Sequence, residues 1–250
     1  MTTTRENIYF ISDVHLGTSD TMIEQTKYRM LKSFFDHIQN DARELYILGD
    51  YFDFWFEYKH AIPKQCVSGI HLLMQLIDHG VSVHYLSGNH DHWVQEFFEK
   101  NLGITVYPAS CTVEVHGKKI FLYHGDGISD LDKSYRIMKV FLRNKLNVLL
   151  YRWLHPDLGI PLANTMSSIS KNQDRDYKKY INDPSIHSFL QKKFSEGFDI
   201  IIMGHHHQPK EELFEEKKYI NLGDWIHHFT YGEWSHNTVL LKKWAEHEIL

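Results

Sequence analysis

The sequence has 250 residues, of which 42% are hydrophobic and 24% are charged, as is ordinary for a folded globular protein. This composition excludes a disordered chain, a collagen-like repeat and a disulfide-stabilised scaffold. The formal net charge of −5 disfavours a general nucleic-acid-binding protein, so we expect no nucleic acid among its partners. The 19 histidines are a surplus that matters only where their spacing suits a metal or proton-transfer site.

Neither the start of the sequence nor its cysteines suggest an exported or membrane-spanning protein. Residues 1–7 are polar and lack the apolar core of a signal peptide. The sequence contains no run of about 18 apolar residues that would span a bilayer. The two cysteines, Cys66 and Cys111, form no motif, which fits a reducing compartment. We therefore expect a cytoplasmic protein.

The first half of the sequence alternates short apolar runs with segments of helical periodicity. Strands are predicted over 8–12, 45–48 and 81–86, and helices over 22–38 and 67–77. This order of strand, helix, strand, helix and strand is typical of a parallel α/β sheet.

The second half predicts β-rich parts that are interrupted by helices. Hairpins are predicted from 112–115 with 119–123 and from 211–214 with 217–222, and further strands over 199–203 and 237–242. Residues 131–195 look helical, with breaks over 156–161 and at Pro184. We expect one domain over residues 1–250, with a sandwich core into which residues 131–195 are inserted as a helical cap.

Five predicted strands end in polar clusters. The clusters are Asp13-Val14-His15, Gly49-Asp50-Tyr51-Phe52-Asp53, Gly88-Asn89-His90-Asp91, His124-Gly125-Asp126 and Gly204-His205-His206-His207. In open α/β sheets, ligands bind beyond the carboxyl ends of the strands. Each cluster alone is explained as well by a turn, a helix cap or a polar surface, but five such strand ends together favour one site.

The spacing inside two of these clusters suits metal binding. Asp13 and His15 are two residues apart, so in an extended segment both side chains point the same way and one cation takes both. His205 and His207 have the same spacing, and we expect the same consequence. Oxygen and nitrogen ligands without a thiolate suit Mn²⁺, Fe or Zn²⁺.

In this order, the clusters resemble the motifs of the calcineurin-like metallophosphoesterases. The resemblance runs from about residue 8 to residue 225 and implies an α/β (α+β) fold, a β-sandwich flanked by helices, with a two-metal site. It implies that one cation is held by Asp13, His15 and His207, that a second is held by Asn89, His124 and His205, and that Asp50 bridges the two. Two cations of this kind lower the pKa of a bridging water and clamp the phosphoryl oxygens.

The same resemblance gives roles to two further residues. His90 follows Asn89 directly and is expected to act as general acid on the leaving oxygen, with phosphate binding alone as the alternative. Asp53 resembles the carboxylate that orients this histidine.

Longer segments point to a narrower family. The segments GDYFDFWFEYK (49–59), GDG (125–127), WLHP (153–156) and NLGDWI (221–226) resemble those of the UDP-2,3-diacylglucosamine diphosphatases of lipid A biosynthesis. That resemblance implies cleavage of the pyrophosphate of a nucleotide-linked acylated sugar. It also implies two divalent cations, for which we expect Mn²⁺, with Zn²⁺ or Fe as alternatives. Well-known members carry Arg where this chain has His90, and Arg is also common at His206. The alternatives are a pyrophosphatase or phosphodiesterase acting on another nucleotide-linked substrate, or a non-catalytic scaffold, which the complete ligand set disfavours.

The predicted cap combines basic and apolar residues. Residues 133–155 contain six Lys or Arg and no Asp or Glu, interleaved with apolar residues. Such a segment either lies on an anionic membrane or admits acyl chains, or else packs its apolar stripe on the core. The first interpretation places the protein peripherally on the inner membrane. Candidate substrate-binding residues in the cap are Tyr135, Arg136, Ser170 and Lys171, the last two beside Ser167 and Ser168.

Overall fold

The computed structural model describes residues 5–18, 20–94, 96–130, 136, 140, 144–173 and 183–245. It contains two sheets, and six strands form the first of them. The strands are β1 (Asn7–Ile11), β2 (Ala42–Leu48), β3 (Ser82–Leu86), β4 (Thr105–Tyr107), β10 (Thr230–Ser235) and β11 (Thr238–Lys243), and their order is β11-β10-β1-β2-β3-β4. Strands β1 to β4 are parallel neighbours, whereas β10 is antiparallel to β1. The parallel arrangement predicted for the first three strands is confirmed.

The second sheet has five strands. They are β5 (Ser110–Val115), β6 (Lys118–Tyr123), β7 (Ile200–Met203), β8 (Lys210–Phe214) and β9 (Lys217–Asn221), in the order β5-β6-β7-β9-β8. Strands β5 and β6 form one antiparallel hairpin and β8 and β9 another, which confirms both predicted hairpins. The three central strands β6, β7 and β9 are parallel. Both sheets therefore have parallel central strands whose carboxyl ends can share one edge.

The core has three apolar layers, one between the sheets and one outside each of them. Alternation along β1 sends Ile8 and Phe10 towards the second sheet, and Tyr9 and Ile11 towards the helices α1 (Thr21–Ile38) and α2 (Val67–Asp78). Strand β7 is buried on both faces, because α5 (Pro184–Ser195) covers the outside of the second sheet. A β-sandwich flanked by helices is therefore confirmed as the fold.

Two further helices precede α5. They are α3 (Lys145–Trp153) and α4 (Pro156–Gln173), and we call them the helix pair. A break was predicted over 156–161. The helices are interrupted just before Pro156, where α4 begins, but α4 continues through Pro161, so the predicted break was wrong beyond Pro156. Pro161 lies in the second turn, where proline removes one backbone hydrogen bond and crowds the carbonyl four residues earlier, which can bend a helix without ending it. The limits of the predicted cap stay a prediction, since much of 131–143 and all of 174–182 lie outside the described residues.

The helix pair has both a packed and an exposed apolar side. Val148, Tyr151 and Ile160 pack against an aromatic cluster of Phe54, Phe56 and Tyr58, in the segment that follows β2. The exposed side chains are Leu146, Leu149, Leu150 and Trp153 on α3, and Leu158 and Leu162 on α4. Within the described part of the chain, no helix is both long enough and apolar enough to cross a membrane.

Candidate metal centre

Polar residues that follow six strands meet at one edge of the sandwich. They are Asp13 and His15 after β1, Asp50 after β2, Asn89 after β3, His124 after β6, His205 and His207 after β7, and Asp224 after β9. The parallel strands of both sheets end on this side, so the loops converge there. All seven metal ligands predicted from the sequence are therefore brought together.

Asp13, His15 and His207 form the first group, and all three are buried. Nε2 of His207 lies 3.3 Å from Oδ1 of Asp13 and 3.3 Å from Nε2 of His15. Oδ2 of Asp13 accepts hydrogen bonds from the Ser12 hydroxyl and the His205 amide, whereas its Oδ1 has no hydrogen-bond partner among the described residues. Asp13 Oδ1 instead faces the ring nitrogens of His207 and His15, and a cation among these three side chains would bind to it.

Asp50, His124 and His205 form the second group, with Asn89 beside them. Oδ1 of Asn89 lies 2.9 Å from Nε2 of His124 and 2.9 Å from Nδ1 of His205. Nδ1 of His124 donates to the main-chain carbonyl of Leu48, so Nε2 is the nitrogen that faces the group. Oδ2 of Asp50 lies 3.4 Å from Nε2 of His124 and 3.7 Å from Nε2 of His15, which puts it between the two groups.

The backbone of the ligand loops differs from the extended segments that we predicted. Asp13, His15, Asp50, His205 and His207 all have positive φ angles, between 52° and 67°. Asp13 and His15 do share one group, but His205 and His207 belong to different groups, so the expectation that one cation takes both was wrong. In left-handed backbone, each residue is aimed by its own loop contacts and not by the alternation of a strand.

The charges of the buried carboxylates are balanced by imidazoles. Burial alone would raise the pKa of Asp13, but His207 and His15 outweigh burial and hold that pKa well below its usual value. Asp50 behaves in the same way beside His124. Burial lowers the pKa of His124, yet Asp50 reverses this and raises it to about 10. The imidazoles act as counter-charges to the buried carboxylates, and divalent cations on the same nitrogen and oxygen donors would take over that role.

Asp53 contacts His90 in a different way from the one predicted. Nδ1 of His90 donates to the main-chain carbonyl of Asp53 at 2.9 Å, whereas the nearer carboxylate oxygen of Asp53 is 4.0 Å away. The same carboxylate oxygen lies 3.3 Å from Nδ1 of His15. The imidazole of His90 is thus oriented by a backbone group, and the Asp53 carboxylate lies closer to a predicted metal ligand.

Asp91 is a site residue to which the sequence analysis gave no role. It is fully buried, and its carboxylate accepts hydrogen bonds from the Gly88 amide, the Tyr51 amide and the Tyr85 hydroxyl. Burial, with Asp50 nearby, raises the pKa of Asp91 to about 6. Asp91 thus ties the loop after β2 to the loop after β3. The signal was its place at the end of Gly88-Asn89-His90-Asp91.

Asp224 is a second residue of this kind. Its Oδ2 lies 3.0 Å from Nδ1 of His228 and 3.7 Å from Nδ1 of His207, on the side of that ring opposite Asp13. Its Oδ1 accepts the main-chain amides of Ile226 and His227. A buried acid beside a predicted ligand histidine fixes the orientation of the imidazole ring. In the sequence, the signal for Asp224 was its place in the NLGDWI segment.

The predicted substrate-binding residues are only partly described. Nη2 of Arg136 donates to Oδ1 of Asp130 at 3.2 Å. Ser170 and Lys171 lie in α4, as do Ser167 and Ser168, but their side chains are outside the described part of the chain, and so is all of Tyr135. His206, between two predicted ligands, is buried with its ring 5.3 Å from that of His205.

Comparison with known proteins places the chain in a family. A family model described as calcineurin-like phosphoesterase matches residues 6–209. A protein of Porphyromonas gingivalis named UDP-2,3-diacylglucosamine hydrolase is 33% identical, over 98% of this chain and 100% of its own. A protein of the same name from Haemophilus influenzae is 32% identical, over 87% of this chain and 90% of its own. A solved structure described as an archaeal phosphodiesterase is 14% identical, covers 95% of this chain and 99% of its own, and has a TM-score of 0.49. The chain therefore belongs to the calcineurin-like phosphoesterase family and is a metal-dependent hydrolase.

Proposed function

We propose that this chain hydrolyses the pyrophosphate bond of UDP-2,3-diacylglucosamine, releasing UMP and 2,3-diacylglucosamine 1-phosphate in lipid A biosynthesis. The observation that carries the proposal is the alignment, along 98% of the chain, with a relative named for this substrate. That alignment extends beyond the metal-binding loops to the helix pair. Both parts of such a substrate, the pyrophosphate and the acyl chains, then have a candidate region in the protein.

Two divalent cations are proposed for the metal centre. Asp13, His15 and His207 would hold one, Asn89, His124 and His205 the other, and Asp50 would bridge them. The position of Asp50 Oδ2 between His15 and His124 supports this division. We propose Mn²⁺, with Zn²⁺ and Fe as alternatives, because the donors are nitrogen and oxygen without thiolate. When bound, such cations lower the pKa of a coordinated water and offset the charge on the phosphoryl oxygens.

His90 is proposed as the general acid. Its Nδ1 donates to the Asp53 carbonyl, and its main-chain amide donates to Oδ1 of Asp50 at 2.8 Å, so both the ring and its backbone are held. Nε2 is then the nitrogen that would deliver a proton to the leaving phosphate oxygen. The Asp53 carboxylate, 3.3 Å from Nδ1 of His15, would orient that ligand.

The exposed side of the helix pair is proposed to contact lipid. Leu146, Leu149, Leu150 and Trp153 recur at helical spacing on α3, and Trp153 is 82% exposed. Exposed apolar surface of this kind, beside basic residues, fits acyl chains or an anionic membrane. The protein would then lie peripherally on the cytoplasmic face of the inner membrane. Tyr135, Arg136, Ser170 and Lys171 remain proposed contacts of the nucleotide pyrophosphate or the sugar.

A substrate panel with added Mn²⁺ tests the proposed function. It compares UDP-2,3-diacylglucosamine, the deacylated UDP-sugar and a generic phosphodiester, and we expect the acylated substrate to be cleaved fastest. Equal rates on the acylated and deacylated substrates would contradict a lipid substrate. Faster cleavage of another nucleotide-linked compound would favour the alternative activity, and no hydrolysis at all would favour a scaffold.

A further inference from the structure

Helix α1 carries a lysine on the face that it packs against the first sheet. Lys27 is fully buried and lies on the same stripe as Leu31, Phe34 and Ile38. Lysine is almost never fully buried without a partner, because removing an unpaired ammonium from water is costly. The position therefore holds a charged group where the helical pattern alone would predict an apolar one.

The ammonium of Lys27 contacts the loop that follows β1. Its Nζ donates a hydrogen bond to the main-chain carbonyl of His15, a proposed metal ligand. It also lies 2.9 Å from Oε2 of Glu24, which is one turn earlier on the same helix. The carboxylate of Glu24 offsets the charge of the ammonium, which makes the burial of Lys27 tolerable.

Glu24 contacts the next part of the same loop. Its Oε1 accepts the main-chain amide of Gly17 at 2.7 Å, and its Oε2 accepts the hydroxyl of Thr18 at 3.1 Å. The main-chain amide of Thr18 also donates to Oε2, at 3.3 Å. Lys27 and Glu24 thus connect α1 to one carbonyl and two amides of the segment from His15 to Thr18.

These contacts act on a backbone conformation that is unfavourable by itself. His15 has a φ of 52°, in the left-handed region that non-glycine residues avoid. Its amide donates to the carbonyl of Asp50 at 2.9 Å, and its carbonyl accepts from Lys27, so the residue is held on both sides. This conformation places Nε2 of His15 3.8 Å from Asp13 Oδ1 and 3.7 Å from Asp50 Oδ2. A shift of this main chain would move the imidazole away from both carboxylates.

We propose that Lys27 is a positioning residue of the metal centre. Its ammonium, paired with Glu24, holds the main chain of His15 in the left-handed conformation that aims the imidazole at a divalent cation. The inference rests on the proposed function, because it takes His15 as a metal ligand. Lys27 acts through His15, so its primary effect is on the affinity for the cation.

Calorimetric titration of Mn²⁺ into the metal-stripped, full-length protein tests this role. Lys27→Met is compared with Lys32→Met on the same helix, where the lysine side chain is 46% exposed and pairs with Asp36. We expect Lys27→Met to weaken Mn²⁺ binding by about 10- to 100-fold and Lys32→Met to leave it unchanged. Wild-type affinity in Lys27→Met would overturn the role of Lys27. Absence of Mn²⁺ binding by the wild-type protein would overturn the metal centre itself, and this inference with it.

A double variant separates positioning from folding. Lys27→Met alone leaves the Glu24 carboxylate without its counter-charge and lowers thermal stability. Glu24→Gln combined with Lys27→Met removes both charges, so we expect thermal stability to recover in part, because glutamine keeps one acceptor oxygen for the Gly17 and Thr18 donors. The His15 carbonyl still lacks its donor, and Mn²⁺ binding should stay at least about 10-fold weaker than in the wild type. Recovery of Mn²⁺ affinity together with stability would overturn the proposal, because the pair would then serve only the fold.

Discussion

The metal centre buries ionisable residues, whereas the helix pair exposes apolar ones, so the two regions reverse the usual burial of residues in opposite ways. At the metal centre, Asp13 and His124 are completely buried, although ionisable residues usually lie at the surface. On the helix pair, Trp153 is 82% exposed, and several leucine side chains are at least half exposed. Buried charge needs a counter-charge and exposed apolar surface needs an apolar partner. The two regions therefore predict two ligand chemistries, cations with a pyrophosphate at one and lipid at the other.

Replacing a buried carboxylate of the metal centre should have the largest effect. Asp50→Asn weakens the bridge between the two proposed cations, so we expect the rate of hydrolysis to fall by at least about 10³-fold. Asp157→Asn is the matched control, because Asp157 lies on the helix pair with its side chain 90% exposed. Steady-state rates with saturating Mn²⁺ measure the difference. A fully active Asp50→Asn enzyme would contradict the two-metal mechanism.

The proposed general acid should have the next largest effect, and one that depends on the leaving group. His90→Gln is expected to lower kcat by about 10²- to 10³-fold on a substrate with a poor leaving group. In a nitrophenyl phosphodiester, the leaving nitrophenolate needs no proton from a general acid. On that substrate the variant should therefore lose far less activity. If both substrates lost activity equally, His90 would bind phosphate and not transfer a proton.

A third prediction concerns stability at the base of the metal centre. Asp91 accepts hydrogen bonds from four donors, and Asn in its place offers a single acceptor oxygen. We expect Asp91→Asn to lower the free energy of unfolding by about 1–3 kcal/mol. Urea denaturation measures this loss, and Asp157→Asn again gives the exposed comparison. An Asp91→Asn protein as stable as the wild type would show that Asp91 does not tie the two loops together.

The sequence predicted the strands that carry continuous apolar residues, but it missed two others. Strand β4 has only three residues, too few for a periodic pattern to emerge. Strand β10 reads TYGEWS, and tertiary packing favours glycine at Gly232, because a Cβ there would lie 3.1 Å from Val239 and 3.3 Å from Phe10, closer than most real contacts. Contacts between distant strands determine such positions, and a local pattern does not contain them.

At the metal centre, the sequence predicted which residues meet but not how their loops are shaped. The His205 amide donates to Asp13, which is 192 positions away, and such contacts direct His205 and His207 to different groups. The Asp53 carboxylate lies near His15 for the same reason. On the helix pair, the sequence shows Val148, Leu149 and Leu150 as three consecutive apolar residues. Only the position of the aromatic cluster decides which of them is packed.

The smallest predicted effect contrasts the two sides of helix α3. Leu150→Ser combined with Trp153→Ser changes exposed residues, so thermal stability should stay close to that of the wild type. Hydrolysis of the acylated substrate in anionic vesicles should fall by about 10-fold, because the apolar contact with lipid is lost, while cleavage of a water-soluble phosphodiester should be unchanged.

Val148→Ala on the opposite side of α3 is the matched variant for that experiment. It leaves a cavity beside Phe54 and Phe56, so it should lower the free energy of unfolding by about 1–2 kcal/mol. Vesicle sedimentation and thermal melting of both variants separate lipid contact from packing. If the double serine variant bound vesicles and cleaved the acylated substrate like the wild type, the exposed leucines and Trp153 would have no role in lipid contact. Acyl chains would then be recognised away from the exposed side of α3, since the opposite side is occupied by the contacts of Tyr151 with Phe54 and Phe56.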